Sequence, residues 1–494
     1  MTSSATTTAP DESTTPEQVD VLVASAAAAA DRWAATPRPV RATALRAVAE
    51  RLEAAVETLV PIGIRETHLP EARLRGELRR TAFQLELFGE VLDEGTYLGV
   101  RVDHADADWP MGAPRPDLRR ILYPVGPVVI FGASNFPFAF SIAGGDTASA
   151  LAAGCPVIVK AHPGHPELSA ATGAIVATAL ADAGAPDGVF AVIYGSDAGV
   201  AALRAPAVKA GAFTGSIAGG RALFDVAAAR PEPIPFYGEL GSTNPVFVTA
   251  AAAAARAEEI VAGFIGSFTL GAGQFCTKPG VLLVPAGSDI VDKLAAATYP
   301  PAAPLLNDRI VAGFRGGLDA LAAHPNVEAV AGDAGATSPA PTVLRTTLEA
   351  LLDDPEALLQ ECFGPAALVV EYTDESQLPA VADVLHGQLT ATLVAQDDDA
   401  IAPELMGRLV TKVGRLLWNQ WPTGVSVTYA QQHGGPYPAT TAPSTTSVGT
   451  DAIGRFLRPV AYQGFPEHLL PAELRDTPPA DDAVLRRVDG HLPG

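Results

Sequence analysis

Three side chains in this sequence are of the types that chemistry at a carbonyl carbon requires. Cys276 lies in a glycine-rich stretch, Glu239 begins the segment Glu-Leu-Gly-Ser, and Asn135 lies in the segment Ser-Asn-Phe-Pro. A thiol can attack a carbonyl carbon, a carboxylate can accept a proton, and an amide can donate to the oxyanion that forms. Together they predict nucleophilic catalysis on a carbonyl substrate.

Cys276 is the candidate nucleophile. A thiolate that adds to an aldehyde forms a thiohemiacetal, whose hydrogen can leave as hydride to a nicotinamide; water then cleaves the resulting thioester. The alternative is a buried structural cysteine, which is how most free cysteines behave. The other two cysteines, Cys155 and Cys362, are interpreted as structural. No Cys-x-x-Cys pair or His-rich cluster accompanies Cys276, so we expect no metal.

Glu239 and Asn135 are the candidate general base and oxyanion donor. A carboxylate near an apolar tunnel is expected to have a raised proton affinity, which suits a base that works near neutral pH. The alternative is a solvated loop glutamate. Asn135 would act together with the backbone N–H of Cys276, and its alternative role is to cap the helix that follows.

Composition limits the class of protein. The 494 residues are too many for one core and indicate two or three domains. A net charge of −22 argues against nucleic-acid or anionic-membrane partners, and means that an anionic substrate needs a local basic pocket. Apolar runs are too short for a membrane span, no signal peptide is recognisable, and three separated cysteines fit a reducing compartment, so we expect a cytoplasmic protein.

The periodicity of apolar residues predicts an α/β protein. Residues 1–16 are Ser/Thr-rich and are predicted to be a disordered tail. Residues 17–100 are predicted to be helical, because apolar residues recur at spacings of three and four. Short apolar runs then alternate with helical segments through residues 123–238, which predicts a mostly parallel sheet, and a second α/β unit follows over residues 239–426.

Six segments in this order along the chain resemble those of the aldehyde dehydrogenase superfamily. They carry Asn135, Lys160, Phe213–Ser216, Glu239, Cys276 and Glu361. The resemblance covers nearly the whole chain. It implies a Rossmann-like cofactor domain (residues 17–100 and 123–238), a second α/β catalytic domain (239–426) and a small β arm with a tail (101–122 and 454–494). In this family the arm crosses to another subunit, so a homodimer or homotetramer is expected.

The resemblance also assigns residues to a nicotinamide dinucleotide. Lys160 would contact the adenosine ribose, Glu361 would accept hydrogen bonds from the nicotinamide ribose, and Phe363 would pack beside that ribose. Taken singly, such residues are usually solvated.

A glycine-rich turn is the candidate phosphate loop. It follows an apolar strand and opens a helix, so its backbone N–H groups and the helix dipole can meet a pyrophosphate. The family uses this looser loop rather than the Gly-x-Gly-x-x-Gly pattern. The residues assigned to it are Gly215, Ser216 and Gly220.

One departure from the family bears on the choice of cofactor. Members that prefer NAD often carry a glutamate three residues after the lysine, where it binds the ribose 2′-hydroxyl; here Pro163 stands at that place. No carboxylate would repel a 2′-phosphate, and His162 and His165 are nearby, although both could simply shape the turn. We therefore predict that NADP is accepted and preferred over NAD.

Two segments near the C-terminus, residues 419–425 and 433–440, are similar to the branch that contains α-ketoglutarate semialdehyde (2,5-dioxopentanoate) dehydrogenases and NADP-linked long-chain aldehyde dehydrogenases. The first substrate is favoured, and a basic residue that the sequence does not single out should bind its carboxylate. The alternative is a broad-specificity or fatty-aldehyde enzyme. The residues expected to line an apolar substrate tunnel are Phe136, Phe138, Phe268 and Trp421.

Two further alternatives are weaker. A CoA-dependent, acylating enzyme is disfavoured because Glu239 is retained to serve hydrolysis. A non-catalytic binding protein on the same fold would require the nucleophile, the base and the oxyanion donor to be idle.

Overall fold

The computed structural model describes residues 13–332, 338–478 and 484–492. The chain begins with a helical layer. Its first helix starts at Pro16, where Thr15 and Gln18 form a reciprocal capping box. The helices are α1 (Pro16–Ala34), α2 (Arg38–Ala54), α3 (Val56–Thr67) and α4 (Glu71–Glu94).

The predicted disordered tail is wrong for its last residues. Thr14 is buried; its backbone N–H donates to the carbonyl of Tyr194, and its hydroxyl accepts from the backbone N–H of Tyr194, both at 2.9 Å. These two bonds pair the chain with the residue that follows a strand of the first α/β unit, which fixes the start of α1. Residues 1–12 of the predicted tail lie outside the described residues.

Two short strands follow the helical layer, and a five-stranded sheet comes next. The short strands are β1 (Arg101–Asp103) and β2 (Leu118–Pro124). The sheet strands are β3 (Val128–Phe131), β4 (Val157–Lys160), β5 (Phe190–Ile193), β6 (Ala210–Thr214) and β7 (Phe236–Glu239). The helices between them are α5 (Gly145–Ala153), α6 (Pro166–Asp182), α7 (Ser196–Arg204) and α8 (Ile217–Ala228).

This sheet has the order β5-β4-β3-β6-β7 with every pair parallel, as the alternation of strands and helices predicts. The order reverses next to β3, and ligands of open α/β sheets bind at such a switch point, beyond the carboxyl ends of the strands. Four predicted site segments leave the sheet at this edge: Asn135 after β3, Lys160 at the end of β4, residues 215–216 after β6, and Glu239 at the end of β7.

A seven-stranded sheet forms the second α/β unit. Its strands are β8 (Val246–Val248), β9 (Val281–Pro285), β10 (Glu328–Ala331), β11 (Thr342–Thr347), β12 (Ala366–Tyr372), β13 (Gln388–Val394) and β14 (Val413–Trp418). Its helices are α9 (Ala250–Phe268), α10 (Asp289–Ala296), α11 (Asp308–Ala322), α12 (Leu348–Asp353), α13 (Pro355–Leu358), α14 (Leu378–Val384) and α15 (Ala402–Leu409).

The order of this sheet is β10-β11-β12-β9-β8-β13-β14, parallel except for the pairing of β10 with β11. Separate apolar clusters pack on it, one centred on Phe314 and Leu368 and the other on Phe264 and Val369. Cys276 lies in the loop before β9, and Glu361 lies in the loop before β12. Both residues therefore lie at the amino ends of strands.

Residues 427–453, which the predicted domain boundaries leave out, run back towards the five-stranded sheet, and we call them the return segment. Thr440 forms an isolated bridge with Glu239. Arg455, just after the segment, forms a buried ion pair with Asp146 of α5 at 2.6 Å. The last strands, β15 (Leu457–Gln463) and β16 (Arg487–Val488), then join β2 and β1 in a sheet of order β15-β2-β1-β16.

This small sheet is built from the two segments that were predicted to form the arm, with β2 extending two residues beyond the predicted boundary. Among the described residues, none of the helices is both long and apolar enough to cross a membrane.

Candidate active site

Four side chains from distant parts of the chain meet at the edge of the five-stranded sheet. The Sγ atom of Cys276 lies 3.4 Å from Nε2 of His433. The same Nε2 lies 2.8 Å from Oε1 of Glu239, and the Ser447 hydroxyl donates to Oε2 of Glu239 at 2.7 Å. The thiol and the carboxylate were predicted to act together, and the structure brings them together.

Glu239 differs from the prediction in its proton affinity. Burial opposes ionisation of its carboxyl group. The electrostatic attraction of His433 and the hydrogen bonds from His433 and Ser447 outweigh burial and hold the pKa below its usual value of 4.5. The predicted raised proton affinity is therefore wrong. Hydrogen bonds to a charged form favour that form, so Glu239 is a carboxylate at neutral pH.

The His433 ring is buried between the thiol and the carboxylate. Its Nε2 needs a proton to donate to Glu239, and its Nδ1 has no partner among the described residues. His433 therefore orients Glu239 through Nε2, and the carboxylate is placed to accept the thiol proton.

Cys276 is stored as a thiol. Burial raises its pKa well above the usual range for cysteine, and the nearby negative charge of Glu239 raises it further. The thiolate is the nucleophilic form, so attack requires that the proton be taken away as the carbon–sulfur bond forms. A carboxylate beside the thiol can accept this proton.

The cluster also has donor atoms of the kind that bind metals. One donor atom each from Glu239, Cys276 and His433 lies within 4.8 Å of the others. Two ligands of a tetrahedral zinc ion lie about 3.3 Å apart, whereas Glu239 and His433 are 2.8 Å apart, which is a hydrogen-bond distance. This spacing fits a shared proton. The expectation of no metal stays a prediction.

Asn135 lies across from Cys276 in the loop after β3. Its Nδ2 donates to the carbonyl of Gln274 at 3.1 Å, two residues before Cys276, and Arg73 donates to its backbone carbonyl at 2.7 Å. The side chain therefore faces the nucleophile loop. This geometry favours the oxyanion role over the capping role.

A cavity of about 230 Å³ opens beside Cys276. Its aromatic wall consists of Phe136, Phe140 and Phe275. Helix α4 supplies charged lining residues beside these rings, Arg73, Glu77 and Arg80. The predicted tunnel residues were all aromatic. A basic residue for the substrate carboxylate was expected, but the sequence did not identify it.

Three of the four predicted tunnel residues are not in this cavity. Phe138 is buried in the core with α4, α5 and α6, because the chain turns between it and Phe136 instead of continuing as a strand. Phe268 is buried in α9, and Trp421 packs on Phe264 of the same helix, with ring centroids 5.9 Å apart. The predictions for Phe138, Phe268 and Trp421 are wrong, and Phe136 lines the cavity.

The predicted adenosine-side residues are placed differently from one another. Lys160 is buried at the end of β4, and burial lowers the pKa of its amine. His162 lies beside it; burial and the nearby positive groups lower the pKa of its ring to about 3, so it is neutral. Its Nδ1 accepts from the backbone N–H of Gly164 at 3.0 Å, which leaves only Nε2 to contact a ligand.

His165 cannot contact a cofactor. Its ring is fully buried, Nε2 bonds to the carbonyl of Ala133 at 2.9 Å, and Nδ1 bonds to the hydroxyl of Ser169 at 3.0 Å. Both ring nitrogens are therefore used inside the protein. The prediction for His165 is wrong, and the turn-shaping alternative describes it.

The candidate phosphate loop is exposed at the carboxyl end of β6. Ser216 is the N-cap of α8, and its hydroxyl accepts from the backbone N–H of Gly219 at 3.2 Å. Gly215 is also exposed, whereas Gly220 is buried, where a Cβ would clash with Leu240. Gly215 and Ser216 can thus meet a ligand, and Gly220 allows the helix to pack closely on the chain.

Glu361 and Phe363 lie in the loop before β12, and both are partly buried. Burial raises the pKa of Glu361 to about 7, against the opposing effects of Lys278 and the backbone N–H of Ser242. A Cβ at Gly241 would clash with the Glu361 carboxylate, so the glycine lets this carboxylate approach the turn after Glu239.

Comparison with known proteins gives the same assignment as the site. The model of the aldehyde dehydrogenase family matches residues 2–303. An α-ketoglutaric semialdehyde dehydrogenase 2 from Azospirillum brasilense is 46% identical over 471 residues, covering 93% of this chain and 89% of the relative. The chain belongs to the aldehyde dehydrogenase family.

Other similar proteins agree with this membership. An α-ketoglutaric semialdehyde dehydrogenase from Acinetobacter baylyi is 41% identical over 485 residues, which cover 96% of this chain and 91% of the relative. The crystal structure of aldehyde dehydrogenase 21 from Physcomitrella patens, a complex with the reaction product succinate, has a TM-score of 0.76 at 21% identity, covering 91% of each chain. The latter similarity supports the fold alone.

Several functional side chains of the enzyme were missed from the sequence. His433 and Ser447 lie about 200 residues after Glu239. His433 begins a segment that was singled out only for its resemblance to a branch of the family. Arg73 and Arg80 lie in a helix for which the sequence analysis considered only the apolar residues. The charged residues at positions 73, 75, 77 and 80, three arginines and a glutamate, are the sequence signal that could have indicated the charged wall.

Proposed function

We propose that this enzyme oxidises 2,5-dioxopentanoate to 2-oxoglutarate with a nicotinamide dinucleotide. The observation that carries the proposal is a small cavity beside Cys276 that combines an aromatic wall with two arginines. A keto acid that carries a carboxylate fits such a cavity better than an alkyl chain does. The two relatives at 46% and 41% identity, whose names specify α-ketoglutaric semialdehyde, support the same substrate.

In the first half-reaction, the sulfur of Cys276 attacks the aldehyde carbon while its proton passes to Glu239. The amide of Asn135 and the backbone N–H of Cys276 donate to the oxygen that becomes negative; loss of one such donor typically costs about 10²–10³ in rate. A bound nicotinamide dinucleotide supplies the hydride acceptor through which the thiohemiacetal becomes a thioester.

Before the second half-reaction, Glu239 releases the thiol proton to solvent. It then takes a proton from water as the water oxygen attacks the thioester carbon. The carbon–sulfur bond breaks, the acid is released, and the proton returns to the sulfur of Cys276. His433 and Ser447 hold the carboxylate in place and keep it ionised between the steps. General-base catalysis of this kind typically contributes about 10²–10⁴ in rate.

The residues at the edge of the five-stranded sheet fit a dinucleotide. The exposed backbone of residues 215–216 at the start of α8 suits a pyrophosphate. Lys160 at the end of β4 would hold the adenosine ribose. Glu361, with Phe363 two residues later, would hold the nicotinamide ribose.

We further propose that NADP is preferred over NAD. Pro163 offers no carboxylate to repel a 2′-phosphate, and the basic residue Lys160 precedes it by three residues. Positive charge is also contributed by Arg309, an exposed residue of α11 close enough to lower the pKa of both Lys160 and His162. His162 contributes a hydrogen-bond donor and no charge.

A fatty-aldehyde dehydrogenase is the second candidate, and the aromatic wall favours it. Two observations weigh against it. The cavity is smaller than the ~300–1,000 Å³ typical of pockets for drug-sized ligands. An alkyl chain would also have to pass the guanidinium groups of Arg73 and Arg80, which would lose hydration without gaining a partner.

The domain boundaries and the oligomeric state remain predictions. The small sheet β15-β2-β1-β16 supports the proposed oligomerisation arm, because β15 is a sheet edge that another chain could extend. Light scattering of the purified enzyme decides between a monomer, a homodimer and a homotetramer.

Steady-state kinetics test the proposed function. We expect a kcat/KM for 2,5-dioxopentanoate at least about 10-fold above that for pentanal, because a charge-assisted hydrogen bond contributes ~1.5–3 kcal/mol. We also expect a higher kcat/KM with NADP than with NAD. Cys276→Ser is the control and should lose activity with every aldehyde while it still binds NADP. A preference for pentanal or longer alkanals would reject the substrate assignment and favour the fatty-aldehyde candidate.

A further inference from the structure

The charged wall of the cavity comes from one face of helix α4. Arg73, Glu77 and Arg80 are spaced by four and three residues, which places them on the same side of the helix. All three line the cavity that contains Cys276. The chain as a whole carries a net charge of −22, which repels anions. The two arginines of this wall provide local positive charge that can attract an anion.

The carboxylate of Glu77 does not fully neutralise this wall. Its Oε1 accepts from the backbone N–H groups of Phe138 and Ala139, at 2.8 and 3.0 Å. Burial raises the pKa of Glu77, which weakens its charge further. Two guanidinium groups therefore face at most one carboxylate, and the wall carries a net positive charge.

The guanidinium groups are held in position yet retain free donors. Arg73 lies over the rings of Phe136 and Phe275, at 4.7 and 4.3 Å from their centroids, and Arg80 lies over Phe140 at 5.4 Å. Within the described part of the chain, Nε and NH1 of Arg73 and NH1 of Arg80 are buried without a hydrogen-bond partner. Buried donors are nearly always paired, so unpaired donors on residues that line a cavity indicate an absent acceptor.

The two arginines differ in what else they do. Arg73 donates to the backbone carbonyl of Asn135 and so helps to place the candidate oxyanion donor. Arg80 also lines the open groove outside the cavity, which shares Gly76 and Val425 with it. Arg80 therefore lies where the cavity meets the groove, within electrostatic reach of Cys276.

We propose that Arg80, with the free donors of Arg73, binds the carboxylate of the substrate and so selects aldehydes that carry an acid group. This inference rests on the proposed function, which requires a substrate with a carboxylate. A guanidinium can bind a carboxylate through two parallel hydrogen bonds, which fixes orientation as well as charge. With the carboxylate held on α4, the aldehyde end of a short chain is directed towards Cys276.

The test compares Arg80→Met with the wild-type enzyme on 2,5-dioxopentanoate, 4-oxobutanoate and pentanal. The ratio of kcat/KM for either acid to kcat/KM for pentanal should fall by about 10- to 100-fold, which corresponds to the loss of a charged hydrogen bond. The loss should lie mainly in KM, because the carboxylate is bound in the ground state and the transition state alike. Arg80→Lys keeps the positive charge but not the two parallel N–H donors of the guanidinium, so this ratio should fall less than in Arg80→Met.

Arg79→Met is the matched control. Arg79 is exposed on the same helix and does not line the cavity, so this variant removes the same charge without removing the contact. An unchanged ratio in Arg80→Met, or an equal fall in Arg79→Met, would overturn the proposal. A wild-type enzyme that prefers pentanal would reject the proposed function instead, and the effect of Arg80→Met on 4-oxobutanoate would still decide the role of Arg80.

Discussion

Glu239 and Glu361 both lie within electrostatic reach of Cys276, and the pKa values of their carboxyl groups shift in opposite directions. Both carboxyl groups are withdrawn from water, and in both cases burial alone raises the pKa. Yet Glu239 has a pKa below its usual value, whereas the pKa of Glu361 is raised to about 7. Burial alone therefore does not decide whether a carboxyl group is charged.

The difference lies in the donors that each carboxyl group receives. Glu239 receives one side-chain hydrogen bond on each oxygen, from His433 and Ser447. Glu361 has a lysine nearby, but Lys278 donates to the carbonyls of Cys362 and Ala366, both at 2.8 Å. A buried carboxyl group that receives hydrogen bonds on both oxygens, as Glu239 does, stays ionised. A buried carboxyl group without such side-chain donors, as Glu361 is, titrates near neutral pH.

The largest effect is expected from Glu239→Gln, which removes the anion and keeps the shape. Turnover should fall by about 10²–10⁴, because the general base is lost. Alkylation of Cys276 by iodoacetamide at pH 7 should become faster, since the charge of Glu239 raises the pKa of the thiol in the wild type. Stopped assays of both rates on one preparation test this pair of effects. Slower alkylation would show that Glu239 instead assists ionisation of the thiol in the resting enzyme.

A smaller effect is expected from Ser447→Ala, which removes one donor from Glu239. The pKa of the carboxyl group should rise, so a smaller fraction is ionised at low pH and activity is lost there first. The acid limb of the pH profile of kcat/KM should move up by about one unit, as for the loss of one hydrogen bond. Ser444→Ala is an exposed control in the same segment. An unshifted limb would mean that His433 alone keeps Glu239 ionised.

The smallest effect is expected from Glu361→Gln, measured as thermal stability without cofactor. Since the folded-state pKa of about 7 lies above the usual 4.5, the folded protein binds the proton more tightly than the unfolded chain does. The stability that this proton contributes is complete below about pH 4.5 and is lost as the pH rises through 7. Glutamine does not titrate, so the Tm of the variant relative to the wild type should rise by ~2–4 °C from pH 5 to pH 8. The exposed Glu349→Gln should show no such trend; a flat difference for Glu361→Gln would place its pKa at the usual value.

Much of the architecture could be predicted because it depends on patterns within short segments of the sequence. Alternating buried runs and helices predicted the parallel sheet, and the rule that ligands bind beyond its carboxyl edge placed Asn135, Lys160 and Glu239 together. The nucleophile loop was recognisable from its glycines. These features depend on a few neighbouring residues, so a single sequence contains them.

The predictions that were wrong concern the directions of side chains and contacts between residues that are far apart in the sequence. Phe136 and Phe138 look equivalent in the sequence, but the chain turns between them, so one faces the cavity and the other the core. His162 and His165 both follow Lys160 within five residues, but the ring of His165 is used to hold the turn. The charge state of Glu239 depends on two residues in the return segment, and no local pattern around Glu239 indicates them.

The protonation of Cys276 in the absence of substrate also affects how easily the enzyme is oxidised. Peroxides attack thiolates far faster than thiols, and low-pKa exposed cysteines are the ones that become sulfenic and then sulfinic acids. Without substrate, burial and then the negative charge of Glu239 raise the pKa of Cys276 and keep it in the less reactive thiol form. The anion that activates the sulfur during catalysis thus also shields it from oxidative inactivation when no aldehyde is present.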